Sequence, residues 1–345
     1  MEKGQRFRVA SKRVILAPVS AASSFPLARR ILSILLTGLL LASPIFGTTR
    51  PTSEDRRSKL PQFEALPLVR SRQNHLLVRA YINGRPAWLG VDSGAPVSAI
   101  AVHRREHFRL TPITAKSNLP ARIQINGAFN NVAIARELRL GALTLVDEPV
   151  VAINLGNSAR AGRLDEQEID GLIGADILFP TKAVLDCQRQ LLILKIDPDI
   201  AGSAPGFDRR GLQAVPIQVS DSFNLYVSGS INGKPARLMV DTGSFATLLH
   251  RSFVRRMRIA TRGTPFSSSA VNLTERGVRV ARIRKLSVGS VDIIGKEVGV
   301  IDLEGLIHDG LLQGSPPVAG LLGAEILNRH HGIIDFGARK LYLKR

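Results

Sequence analysis

From about residue 64 onward, apolar and polar positions alternate in short runs, each closed by turn residues. Leu76–Ile82 is a β-rich run ending in Asn83-Gly84, the dipeptide that best suits a two-residue hairpin turn, and residues 87–91 lead back from it. Leu225–Ile231, Asn232-Gly233 and residues 236–240 repeat that design. Another hairpin is expected at Asn126-Gly127, between 121–125 and 129–135. The apolar runs 138–145 and 184–194 each read as one further strand. Helix starts stand out only after Gly174-Ala175 and Gly323-Ala324, where Asp176 and Glu325 would suit the positive end of a helix dipole. The pattern predicts a mostly β protein with a few short helices.

One stretch departs from this pattern. Arg29-Arg30 precede an apolar run at 31–42, followed by Ser43-Pro44 and Gly47. A positive cluster before about 7–15 apolar residues is the layout of a signal peptide. The run falls short of the ~20 residues that a spanning helix needs. Residues 1–47 are therefore expected to be a signal peptide or N-terminal membrane anchor, with 31–42 providing membrane attachment if retained. The protein is expected outside the cytoplasm: periplasmic, extracellular or anchored facing outward. Residues 48–63 are a polar lead-in whose Arg56, Arg57 and Lys59 suit a tether.

The strand pattern occurs twice. Residues 81–94 and 230–243 agree at nine of fourteen positions, at an offset of 149. The same offset aligns Ala65-Leu-Pro67 with Ala214-Val-Pro216, residues 170–178 with 319–327, and Val184-Leu-Asp186 with Ile333-Ile-Asp335. Four separated segments in one register establish an internal duplication. The copies run over 64–197 and 213–345, joined by a Gly-, Ala- and Pro-rich linker at 198–212.

Composition narrows the function. The net charge of +19 includes +7 from residues 1–50, and the basic residues of the body are scattered without an aromatic-interleaved stripe, so no nucleic-acid partner is expected. The single cysteine, Cys187, lies in an apolar run and reads as a buried structural thiol. Among the seven histidines, His103 and His107 are spaced to share a helix face, yet no third ligand accompanies them, and neither a metal nor a cofactor is expected. Asp170, Asp176, Asp186 and Asp335 sit at loop and strand ends and read as structural.

The residues after each hairpin carry the chemistry. Val91-Asp92-Ser93-Gly94-Ala95 and Val240-Asp241-Thr242-Gly243-Ser244 are followed at equal distance by Leu172-Ile173-Gly174 and Leu321-Leu322-Gly323. Here the chain resembles the pepsin-like and retropepsin-like aspartic proteases, and its bacterial retropepsin-like branch in the Asn-Gly-x-Pro approach. The resemblance implies an all-β, bilobal acid-protease fold with the active site between two barrel-like lobes. It also implies an aspartic endopeptidase, with Asp92 and Asp241 as the catalytic pair. Ser93 and Thr242 would tie the two loops together, with Gly94 and Gly243 letting the backbone turn tightly and approach the carboxylates. Gly174 and Gly323 would pack behind the loops. Position 95 is Ser or Ala in the family; a Ser244 hydroxyl would support ionised Asp241, whereas Ala95 cannot support Asp92. Activity is accordingly expected to reach less acidic pH than with serine in both places. Flap hairpins are expected at 121–135 and 267–280.

Two carboxyls about 3 Å apart cannot both ionise, and a pair sharing one proton can act as base and acid together. One copy alone would not suffice. The expected partner is a protein or peptide substrate, and the expected state is a monomer acting as an intramolecular pseudo-dimer. The alternative is a non-catalytic, peptide-binding envelope protein on the same scaffold.

Overall fold

A computed structural model describes residues 62–113, 131–155, 168–197, 205–264, 267–270, 273–276, 278–308, 312 and 314–345. The leader run 31–42 and most of the first flap candidate lie outside them. Residues 56–345 form one compact unit.

Each repeat is built on its hairpin. Leu76–Ile82 pairs antiparallel with Arg85–Val91, and Leu225–Ile231 with Lys234–Val240. The turn residues take the left-handed backbone that a two-residue hairpin demands: φ is 50° at Asn83, 77° at Gly84, 52° at Asn232 and 81° at Gly233. Asparagine also anchors each turn, its Oδ1 accepting from Glu137 N–H at 3.0 Å in one copy and Arg284 N–H at 2.8 Å in the other.

Around the first hairpin, six strands close on themselves. Arg85–Val91 is followed by Gly171–Ile173, Ala99–Ala101, Leu143–Ile153 and Val132–Leu140, which returns to Leu76–Ile82 through Ile82↔Leu138. The second repeat closes likewise through Val318–Leu322, Leu248–His250, Val291–Ile301 and Arg279–Val288. The result is an all-β, bilobal acid-protease architecture. Two of the expected single strands are divided. The 138–145 run breaks at Gly141, whose φ of 58° turns the chain between Val132–Leu140 and Leu143–Ile153. The 184–194 run breaks into Val184–Asp186 and Leu191–Lys195, because the Asp186 carboxylate accepts from Gln188 and Arg189 N–H at 3.1 and 2.8 Å and bends the chain.

The lobes are joined by a shared antiparallel sheet, in the order Leu212–Pro216, Lys340–Lys344, Ile333–Asp335, Val184–Asp186, Leu191–Lys195 and Phe63–Arg70. At its centre Ile333 faces Asp186, Ile334 faces Leu185, and Asp335 faces Val184. Exchanging every residue for its repeat-mate reproduces this pairing, so a pseudo-two-fold axis passes between Leu185 and Ile334. Both side chains are fully buried in a core cluster that runs through both lobes. This shared core explains why two repeats make one unit.

Short helices follow the glycine signals as expected, at Ala175–Leu178 and Ala324–Arg329. Two further helices, Arg251–Arg256 and Glu304–His308, were not anticipated. His103 and His107 do not share a helix face. Only Val102–Arg104 forms a 3-10 turn; His103 Nε2 pairs with Glu168 at 3.3 Å, while His107 meets Phe108 edge-on. Cys187 is buried, and burial pushes its thiol up to about 12, as befits a structural cysteine.

Candidate active site

Asp92 and Asp241 follow directly on the inner strands of the two hairpins. Each strand pairs in parallel with the strand before the glycine signal, Val91 with Ile173 and Val240 with Leu322. The ladder continues one residue further: Asp92 N–H donates to Ile173 O at 3.0 Å and Asp241 N–H to Leu322 O at 3.1 Å. Next in the chain come Gly174 and Gly323. A Cβ at Gly174 would stand 2.6 Å from Val97 C and 2.8 Å from Ala95 O, and one at Gly323 would run into the Ala246 carbonyl. These two glycines let the backbone behind each aspartate loop press against it.

The loops lock to each other by four reciprocal bonds. Ser93 N–H donates to Thr242 Oγ1 at 2.9 Å, and Thr242 N–H to Ser93 Oγ at 3.1 Å. The Ser93 hydroxyl donates to Val240 O at 2.9 Å and the Thr242 hydroxyl to Val91 O at 2.8 Å. Both side chains are about 1% exposed, so all four bonds are shielded from water. Gly94 and Gly243 have ordinary backbone angles, and the reason for glycine differs from the expected tight turn. A Cβ on Gly94 would lie 2.5 Å from Asp241 Oδ1, and one on Gly243 would collide with the Asp92 carboxylate. Each glycine makes room for the acid of the other lobe.

The lattice thereby seats each carboxyl against the glycine of the opposite loop, close enough for the two acids to act on each other. Asp92 accepts from Gly94 N–H at 2.8 Å; Asp241 accepts from Gly243 and Ser244 N–H at 2.9 and 3.0 Å. Loss of hydration raises both groups above the ordinary carboxyl range. Asp241 is pushed up to about 8, first by burial and then by the negative charge of Asp92. Backbone donors, His75 and Asp241 partly offset the rise at Asp92.

The family model described as aspartyl protease matches residues 78–177 and 227–326, together more than half of the chain. The chain belongs to the aspartyl protease family. No curated protein matches it. Among solved structures it is similar to a retropepsin-like aspartic protease from Rickettsia conorii, at 17% identity over 38% of this chain and 90% of that one, with a TM-score of 0.29. It is also similar to Basic 7S globulin from soybean, at 10% identity over 82% of this chain and 95% of that one, with a TM-score of 0.42.

In this member of the aspartyl protease family, position 95 and its mate work differently from expectation. The Ser244 hydroxyl donates to Ala246 O at 2.8 Å, and it is the Ser244 backbone N–H that reaches Asp241. A serine at this position therefore adds nothing to the carboxylate here that alanine lacks, and the expected difference in acid response loses its basis. One residue further the copies diverge: Pro96 is half-buried, whereas its mate Phe245 is 57% exposed beside the Asp241 loop.

The remaining acids support the frame. Asp170 accepts from Trp88 N–H at 2.9 Å and pairs with Arg104 at 2.6 Å. Asp176 serves more than the helix end: its carboxylate accepts from Ser98 N–H and Oγ at 2.8 and 2.7 Å, and Ser98 Oγ accepts from Gly174 N–H at 3.0 Å. Glu325 instead pairs with Lys296 at 3.5 Å. Asp335 holds the turn at Ala338 N–H at 2.8 Å.

Among the described residues, His250, Asp302 and Glu304 form one cluster with metal-ligand types. Its chemistry argues against a metal. Leu303 N–H donates to His250 Nδ1 at 3.1 Å, so a neutral imidazole carries its proton on Nε2, which faces Glu304 at 3.4 Å. Asp302 is occupied by Arg251 at 3.2 Å and Glu304 N–H at 3.0 Å. The second flap candidate contains a hairpin of Ser267–Ala270 with Leu273–Arg276. Among the described residues, no helix is long and apolar enough to cross a membrane.

Sequence reasoning missed His75. Its imidazole lies against the Gly243 backbone and interacts with Asp92. The signal was available at the usual offset, where Ser71 and His75 align with Ser220 and Asn224.

Proposed function

We propose that the protein is an aspartic endopeptidase in which Asp92 and Asp241 share one proton and activate a water between the lobes. The observation carrying this reading is the contact of two raised carboxyls, each seated against the glycine of the opposite loop. In the reaction, the ionised carboxylate takes a proton from water as its oxygen bonds to the substrate carbonyl carbon. The other carboxyl gives its proton to the carbonyl oxygen. Collapse of the resulting gem-diol returns one hydroxyl proton to the pair, passes the other carboxyl proton to the amide nitrogen and breaks the C–N bond. The pair is left with a single proton, ready for another turnover. The two lobes supply both acids from one chain, so a monomer is the working unit.

The test is incubation of the purified chain with a diverse peptide library, beside Asp92→Asn and Asp241→Asn. Cleavage by the parent, reduced by at least ~10²–10⁴-fold in each variant, supports the reading. Binding without cleavage would favour a peptide-binding envelope protein instead. We further propose that residues 1–47 direct the protein out of the cytoplasm, on the strength of Arg29-Arg30 and the apolar run 31–42. Fractionation of cells, with mass spectrometry of the N-terminus, tests this; a full-length protein confined to the cytosol would refute it.

A further inference from the structure

The two halves of the site are not equivalent, and one chemical difference between them is at position 75. The same turn delivers residue 75 in one lobe and residue 224 in the other. Ser71 Oγ accepts from His75 N–H at 3.1 Å and Ser220 Oγ from Asn224 N–H at 3.1 Å. The preceding residue is left-handed in both, with φ of 67° at Asn74 and 61° at Phe223. The side chains then part company. Asn224 is buried beside Tyr226 of its own lobe. The hairpin register that pairs Leu77 with Gly90 runs on to set residue 75 opposite Asp92, and the His75 imidazole reaches the Gly243 backbone of the other lobe. Its Nδ1 is buried and has no hydrogen-bond partner among the described residues. An unpartnered buried nitrogen costs free energy unless something else uses it. Proton uptake there would place a positive charge beside one aspartate and not the other.

We propose that His75 is a positioning residue that makes the two aspartates unequal, favouring negative charge on Asp92 and leaving the shared proton on Asp241. The inference rests on the reading of the pair as catalytic. Nearby charges do not compete for the role. Asp92 is the acid whose charge His75 feels, with Asp241 beyond it. Arg70 is turned to Asn74, the Cys187 carbonyl and Asn328, and Arg72 is exposed. Burial holds the imidazole below its usual range, while Asp92 draws it back upward. As pH falls, an imidazolium at His75 would oppose the second protonation of the pair and extend activity on the acid side.

The direct test is an NMR titration of the His75 imidazole in the full chain, in Asp92→Asn and in Asp241→Asn. The two variants each keep one carboxyl of the pair and differ only in its position. The His75 midpoint is expected to fall by roughly half a unit or more in Asp92→Asn, and to move much less in Asp241→Asn. Equal responses, or none in Asp92→Asn, would overturn the proposal. This arm needs no turnover, so it stands even if the chain proves unable to cleave peptides, an outcome that would overturn the catalytic reading alone. In the active protein, His75→Asn (the residue used by the other lobe) should move the acid limb of kcat/KM to higher pH. His75→Gln retains a donor without a titratable charge and should show the same displacement. A wild-type acid limb in both variants would refute the electrostatic role.

Discussion

Thr242 and Ser93 each spend a hydroxyl on the opposite strand and receive a backbone N–H in return, so either side chain serves two bonds. Thr242→Val keeps the shape and removes the hydroxyl, leaving Ser93 N–H and Val91 O unpaired in a shielded place. A loss of about 1–3 kcal/mol is expected in urea unfolding, with a fall in activity as the carboxyls separate. Position 95 is expected to be quiet. Since the Ser244 hydroxyl is turned to Ala246 O, Ala95→Ser and Ser244→Ala should each leave the acid limb of the pH–rate profile where it is. A shift in either would mean that the hydroxyl reaches the aspartate during turnover.

At the level of strands and turns, the decisive contacts are between backbones. Gly174→Ala would force a methyl into Val97 and the Ala95 carbonyl, and neither can move without carrying Asp92 with it. A cost of roughly 1–3 kcal/mol is expected by chemical denaturation, together with reduced cleavage. Much of this was legible in the sequence because duplication marks what both lobes need. Asp92, Asp241 and the two Asn-Gly hairpins recur at one offset, and their chemistry is local. What escaped was set by side chains acting at a distance. The breaks at Gly141 and Asp186 lie within apolar runs that read as continuous. The partner of the Ser244 hydroxyl depends on how its loop folds. His75 differs from its repeat-mate, so a search for identities passes over it, and its role arises only when its imidazole crosses to Gly243.

For the whole molecule, the aspartate pair makes stability depend on pH in a defined direction. A carboxyl whose folded pKa is raised favours the native state fully below the unfolded value of about 4 and loses that advantage as pH rises towards the folded value. For Asp241 that window ends at about 8. Thermal unfolding should therefore show the advantage of Asp241→Asn over the parent growing between pH 4 and 8 and levelling off above, on the order of 1 kcal/mol or more at its largest. Peptide cleavage should decline on the basic side at about 8, where the shared proton leaves. The shared sheet around Leu185 and Ile334 keeps the plan of a symmetric dimer, yet each position near the acids now occurs once. In a true homodimer a peptide lying in the groove may be turned end for end at no cost. Here Phe245 follows one aspartate loop and Pro96 the other, so a peptide laid across the two loops would meet different side chains in its two orientations and would be read in one direction, as no pair of identical subunits can do.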